Sequence, residues 1–257
     1  MKKEDLKDVT FIFPVRIDSK ERLNNLFAIH TYLSKHFITN FIICEAASKP
    51  TPSLKQLDRY CFVKDEHKVF YYTFYLNQMI KMSNTPIVGI WDVDVLAPTN
   101  QICEAVNAIR EKNFSMTWPY DGICCNIAKE DSNVFIENIN IEFLMKNESS
   151  HIRMFGKHSV GGAFFVNKED YKRIGLENEH IFGWGPEDIE RFKRATILEI
   201  PIFRVKGYLY HLYHPLNNNF GYSDHERQMK NMKELLRICR FSKEELKKEI
   251  ESWHWIR

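Results

Sequence analysis

The feature that most constrains this chain is an alternation of short apolar runs with amphipathic stretches across its first half. Val9 to Phe13 is a β-rich run closing at Pro14, and Ser19 to Lys35 then carries apolar residues at helical spacing (Leu23, Leu26, Phe27, Ile29, Leu33). Phe37 to Cys44 reads as a second buried strand, Lys68 to Met82 as a helix, Ile87 to Trp91 as a strand and Gln101 to Lys112 as a helix. Strand–helix alternation of this kind predicts an α/β domain with a mixed, mostly parallel central sheet flanked by helices. Later segments continue it less regularly: a short strand at Ala163 to Val166, a helix beginning near Pro186, and helices over Lys230 to Arg240 and Lys243 to Glu251. Asn126 to Ser150 is polar and charged and reads as an excursion from the sheet or a mobile insert. No linker or repeat divides residues 1–257, so one domain is expected, with C-terminal helices of about 224–257 packing on it.

Bulk properties narrow the function classes. A net charge of +2 gives no basis for a nucleic-acid partner. The start of the chain, MKKEDLKDVT, has no apolar core of the kind a signal peptide needs, and no run reaches the roughly 18 apolar residues of a membrane span. The six cysteines show no metal-binding spacing and read as reduced thiols. A cytoplasmic protein is expected. Met229, Met232, Leu235, Leu236 and Ile238, with Lys230, Lys233, Arg237 and Arg240 among them, form a packing face whose cations could touch an anionic leaflet at the inner membrane face.

Three polar clusters fall where ligands gather in open α/β sheets, beyond the carboxyl ends of strands. The first is Pro14-Val15-Arg16-Ile17-Asp18. The second is Asp92-Val93-Asp94, closing the apolar run Ile87 to Trp91. Two carboxylates one residue apart share a face on a strand and repel unless a cation or water intervenes. Their hard oxygens suit Mg²⁺ or Mn²⁺, which in turn suit diphosphates. The third, Gly183-Trp184-Gly185-Pro186-Glu187-Asp188, has two readings. Proline and acids at a helix start complement the helix dipole. Equally, an aromatic ring beside a carboxylate makes a wall for a sugar and raises an Asp towards a useful base. Finally, His211 and His214 would face opposite sides of a regular strand and can share one ion only if the chain turns there.

Together these residues resemble a GT-A glycosyltransferase, of the group containing the animal beta-1,4-galactosyltransferases and related bacterial capsule or lipopolysaccharide transferases. Phe13-Pro14-Val15-Arg16 resembles the first-strand Pro-x-Arg that touches the nucleotide. Phe70 and Asn77 fall at the family's spacing before its Asp-x-Asp, where the Phe packs on uracil. Asp92-Val93-Asp94 is similar to the family's Asp-Val-Asp, and Gly161-Gly162-Ala163 to the turn beside the donor sugar. Gly183-Trp184-Gly185-Pro186-Glu187-Asp188 is the most specific likeness, and His211-Leu212-Tyr213-His214 stands where the family has Met-x-x-His.

The resemblance implies a Mn²⁺- or Mg²⁺-dependent transfer of galactose or N-acetylgalactosamine from a UDP-sugar to a glycan or lipid-linked acceptor, with inversion. It implies Asp188 as base, Asp94, His214 and His211 at the metal, and Pro14, Val15, Arg16, Asp18, Phe70, Asp92, Val93, Gly162, Trp184 and Glu187 around the nucleotide sugar. The chain departs from the pattern at Pro186 (for Gly), Ile189 (for an acid) and Asp18 (for a second Arg), which bears on sugar and acceptor rather than reaction class. A metal-dependent nucleotidyltransferase is an alternative, although Phe13 to Arg22 contains none of the glycines its phosphate loop would need. A nucleotide-sugar or glycan-binding module without catalysis is another, in which Asp188 would have no task.

Overall fold

The computed structural model describes residues 2–154, 156–183, 185–215 and 224–256. Its central sheet is built on β1 (Glu4–Val15), which pairs in parallel with β2 (Phe37–Ala47) on one side and β4 (Ile87–Trp91) on the other. Phe11, Ile12 and Phe13 are fully buried, because a central parallel strand is covered on both faces and favours an unbroken apolar run over alternation. Pro14 is tolerated in this strand because it lies beyond Ile12, where pairing with β4 ends. β3 (Tyr60–Lys64) extends the sheet beyond β2. On the other side follow β9 (Ala163–Asn167), β6 (Met116–Trp118) and β10 (Ile202–Arg204), giving seven strands in the order β10-β6-β9-β4-β1-β2-β3. Only β9 runs antiparallel to its neighbours, so the sheet is mixed and mostly parallel as expected.

Helices α1 (Lys20–His36), α2 (Tyr72–Met82) and α3 (Thr99–Lys112) occupy the connections between these strands. α1 starts where Ser19 caps it, the side-chain oxygen accepting from the Arg22 N–H at 3.1 Å. The expected strand over Val9 to Phe13 is longer at both ends, and the expected helix from Lys68 begins only at Tyr72. Asn77, inside α2, is wholly buried and works as a clamp. Its side chain donates to the Glu177 carbonyl (3.0 Å) and Glu179 Oε1 (2.8 Å), and accepts from the Glu177 N–H (2.8 Å).

A smaller sheet stands at the carboxyl end of the central strands, ordered β5 (Val95–Leu96), β11 (Tyr208–His211), β7 (Ile123–Asn126), β8 (Ile152–Met154). Asn126 to Ser150 is not a structureless excursion. It forms α4 (Lys129–Asn138) and α5 (Ile141–Lys146), anchored by buried Phe135 and Leu144 while their polar faces meet water. The polarity that hid these helices belongs to their exposed faces. After α6 (Lys168–Arg173), α7 (Glu187–Ile197) leads to α8 (His225–Cys239) and α9 (Lys243–Glu251). α8 packs on α7, and Trp253 and Trp255 are buried after α9. The Trp255 ring N–H donates to the Gly175 carbonyl at 3.0 Å. Among the described residues no helix is long and apolar enough to cross a membrane.

Candidate active site

The Asp92–Asp94 segment leaves the central sheet, so the shared-face argument of a strand does not apply. β4 ends at Trp91, and the Asp92 N–H donates to the Gly162 carbonyl at 2.8 Å. The chain then turns, and Asp94 enters the small sheet, its carbonyl accepting from the Leu212 N–H at 2.7 Å. The two carboxylates diverge. Asp92 Oδ1 accepts from the Tyr72 hydroxyl at 2.9 Å, whereas Asp94 faces two histidines and an arginine.

β11 ends at His211, and the chain leaves the strand there, bringing both rings to one carboxylate. His211 Nε2 lies 3.7 Å from Asp94 Oδ1, and His214 Nε2 lies 3.2 Å from Asp94 Oδ2. Each ring is oriented from behind through Nδ1: His211 by Asn126 Oδ1 at 3.3 Å, His214 by the Pro215 carbonyl at 3.0 Å. With the proton of His211 on Nδ1, toward its amide-oxygen partner, the Nε2 lone pair faces a carboxylate oxygen. Two acceptors meeting across such a gap fit a bound cation, and carbonyl partners behind ligating imidazoles are the usual way such rings are fixed. Burial lowers the His211 pKa, favouring the neutral, ligating form. Burial alone would raise Asp94, but His211, Arg22 and His214 outweigh it and hold this carboxyl below the usual range. Asp94, His211 and His214 therefore form a group able to hold a divalent metal ion.

The second half of the site faces this one across two glycines. The Gly162 carbonyl holds Asp92, while Gly161 lies against the Asp188 carboxylate; a Cβ on Gly161 would sit 1.9 Å from Asp188 Oδ2. Gly162 has φ of +80°, a left-handed conformation that suits glycine. Burial, reinforced by Asp94 and Asp188, pushes the Asp92 carboxyl up to about 7.

Asp188 stands in the first turn of α7, half-exposed. Its Oδ1 accepts from Arg191 Nη1 at 2.7 Å, and the remainder of that fully buried guanidinium grips Glu177 through Nε and Nη2, both at 2.9 Å at their shortest. The guanidinium also lies over the Phe164 ring, 4.3 Å from its centroid. Glu187 is buried, accepts from the Gly185 N–H at 2.8 Å, and is driven well above the carboxylate range by burial and then by Asp188. Replacing Arg191 with Met should lower the unfolding free energy by about 3–5 kcal/mol in urea denaturation, because Glu177 would be left as an uncompensated buried charge. An unchanged midpoint and slope would show that the pair contributes no net stability.

The first-strand cluster is arranged differently from a free nucleotide contact. Arg16 donates to the Ala46 carbonyl (2.8 Å), the His67 carbonyl (2.8 Å) and Asp65 Oδ2 (2.5 Å), and its guanidinium lies over the Phe70 ring. Phe70 is buried and stacked on Tyr75. Pro14, Val15 and Val93 are buried too. Asp18 meets Arg22 Nε at 3.2 Å, and Arg22 Nη1 continues to Asp94 Oδ2 at 3.3 Å. Trp184 lies outside the described residues. Sequence reasoning missed Arg22, Tyr72, Glu177 and Arg191. Two of these carry a local signal, since Arg22 follows Asp18 by one helical turn and Arg191 follows Asp188 by three residues.

Comparison with known proteins agrees with this architecture. The crystal structure of glucosyl-3-phosphoglycerate synthase from Mycobacterium tuberculosis, in complex with Mn²⁺, UDP and phosphoglyceric acid, is similar with a TM-score of 0.55 at 11% identity, over 91% of this chain and 78% of that one. The fold is GT-A. Residues 142–215 match the family model described as the N-terminal domain of galactosyltransferase. That stretch of the GT-A domain holds Gly161, Gly162, Glu187, Asp188, His211 and His214. The catalytic domain of Drosophila beta1,4galactosyltransferase 7, in complex with xylobiose, is similar at 15% identity and a TM-score of 0.47, over 76% of this chain. This chain spans 63% of that chain's length. No curated protein matches in sequence.

Proposed function

We propose that this protein is a metal-dependent glycosyltransferase that moves a sugar from a UDP-sugar to an acceptor hydroxyl with inversion. The observation that carries the reading is the pairing of two half-sites across Gly161-Gly162: an Asp94–His211–His214 cluster on one side and the half-exposed carboxylate of Asp188 on the other. A cation group alone would serve many reactions. A cation group facing one oriented base suits the displacement of a diphosphate by a hydroxyl.

Asp94, His211 and His214 would hold Mn²⁺ or Mg²⁺, which supplies Lewis-acid neutralisation of charge on the departing diphosphate. Asp92, held by the Tyr72 hydroxyl on its side chain and the Gly162 carbonyl on its N–H, faces the nucleotide side with Pro14, Val15, Arg16, Asp18, Phe70 and Val93 framing it. Asp188 accepts the proton of the acceptor hydroxyl, and Arg191 keeps its carboxylate aimed. One base and one displacement invert the anomeric centre. Glu187, Gly162 and Trp184 complete the donor-sugar wall in this reading. Galactose or N-acetylgalactosamine is the favoured sugar, supported by the family match over residues 142–215, and a glycan is the favoured acceptor.

Gly161→Ala tests the geometry between the halves. Its methyl would displace Asp188 by about an ångström or more, and displacement on that scale costs about 10²-fold in turnover. Steady-state kinetics should show kcat falling by that factor with UDP affinity retained; unchanged kcat would mean Asp188 need not stay where it stands. The reading as a whole is tested by thermal shift against nucleotide sugars with and without Mn²⁺, where UDP-sugars should stabilise the protein only with the ion. Stabilisation by nucleoside triphosphates with release of pyrophosphate would favour nucleotidyl transfer instead.

A further inference from the structure

Among the described residues, Arg22 carries a permanent positive charge and reaches two members of the metal-ligating group. Nη1 is 3.3 Å from Asp94 Oδ2, and Nη2 is 3.2 and 3.3 Å from the two ring nitrogens of His214. Asp94 Oδ2 and His214 Nε2 are themselves 3.2 Å apart, so the guanidinium lies on the very atoms that would ligate a metal ion. A dication and a guanidinium cannot both occupy those atoms. The Arg22, Asp18 and Asp94 side chains are 13%, 2% and 5% exposed, so solvent screens the repulsion poorly.

We propose that Arg22 is a built-in cation of this site: it covers Asp94 and His214 in the metal-free protein and turns to the diphosphate of the donor when a divalent ion binds. The geometry shows the first position and the pivot for the second. Arg22 lies in the first turn of α1, and Asp18 holds it through Nε. That tether leaves Nη1 and Nη2 to exchange one acceptor for another. The freed pair matches the forked geometry that arginine offers to phosphate oxygens. Asp18 thereby acts on the nucleotide through Arg22 rather than by touching it. The consequence is linkage. The ion alone must displace an internal competitor, whereas ion and diphosphate together give that competitor a new partner, so each ligand strengthens the binding of the other.

The gating half depends only on the metal cluster, while the diphosphate half rests on the proposed nucleotide-sugar function. Both are read by titrating the whole protein with Mn²⁺, following free Mn²⁺ by electron paramagnetic resonance, and by calorimetry of UDP at saturating Mn²⁺. Arg22→Met should bind Mn²⁺ alone about tenfold or more tightly than the unaltered protein, because the competitor is gone. It should bind UDP in Mn²⁺ about tenfold or more weakly. Arg22→Lys keeps a cation without the fork, so its Mn²⁺ affinity should stay near that of the unaltered protein while its UDP affinity falls. Equal or weaker Mn²⁺ binding by a folded Arg22→Met protein overturns the gate. Tighter Mn²⁺ binding with unchanged UDP affinity overturns the turn to the diphosphate. Absence of UDP binding to the unaltered protein overturns the nucleotide-sugar reading itself and leaves the Mn²⁺ titrations to decide the gate.

Discussion

Replacing Asp188 with Asn should lower kcat by about 10²–10⁴-fold while leaving the dissociation constant for UDP in Mn²⁺ within about twofold of its original value. The asymmetry follows from where the carboxylate stands. Asp188 makes no contact with Asp94, His211 or His214; its described bonds run to Arg191. An amide at this position keeps an oxygen to accept from Arg191 Nη1, so the side chain holds its direction and loses only its capacity to take a proton. Arg191 keeps its place in the variant, since its other donors remain on Glu177. Loss of UDP affinity equal to the loss of turnover would place Asp188 at the nucleotide and remove it as the base. Full activity in the Asn variant would remove it from the mechanism altogether.

Asp94→Ala should act at the opposite end and with the opposite signature. Asp94 is the only carboxylate that both histidines approach among the described residues, and its two oxygens are divided between them. Without it two imidazoles remain, a weak and underdetermined set for a hard dication. UDP affinity measured with Mn²⁺ should then fall to the value measured with a chelator, and turnover should vanish with it. The variant should stay folded, because the backbone bond from the Leu212 N–H to the Asp94 carbonyl does not use the side chain. Mn²⁺-dependent UDP binding that survived the substitution would show that the ion is held elsewhere.

How much of this was legible in the sequence divides along physical lines. The six elements from β1 to α3 named by periodicity are long enough, or buried enough, for their apolar pattern to stand out; β1, with Phe11, Ile12 and Phe13 all buried, is the clearest case. The small sheet was not foreseen. Its strands run from two to four residues, too short for any period, and β11 finds β7 and β5 from about a hundred residues away. The chemistry-bearing residues were legible as types, because carboxylates and imidazoles are few and their spacing is distinctive. Their assembly was not. Whether His211 and His214 share one ion depends on β11 ending at His211, and sequence left both outcomes open. The aspartates looked like neighbours on one strand face, yet the chain leaves β4 at Trp91 and sends them to different partners. Arg22 and Arg191 each follow an Asp by about one helical turn, which signals a local pair, but only tertiary packing reveals that Arg191 is buried on Glu177 and that Arg22 lies in the metal cluster.

The most direct measurement is a transfer assay with UDP-galactose and UDP-N-acetylgalactosamine, a panel of glycan acceptors, and Mn²⁺ or a chelator, following UDP release and the acceptor's mass together. The account predicts UDP release matched by one hexose or N-acetylhexosamine added to an acceptor, with Mn²⁺ and not with the chelator. Release of UDP at the same rate with the chelator present, or UDP-sugar left intact and unbound under every condition, would contradict it.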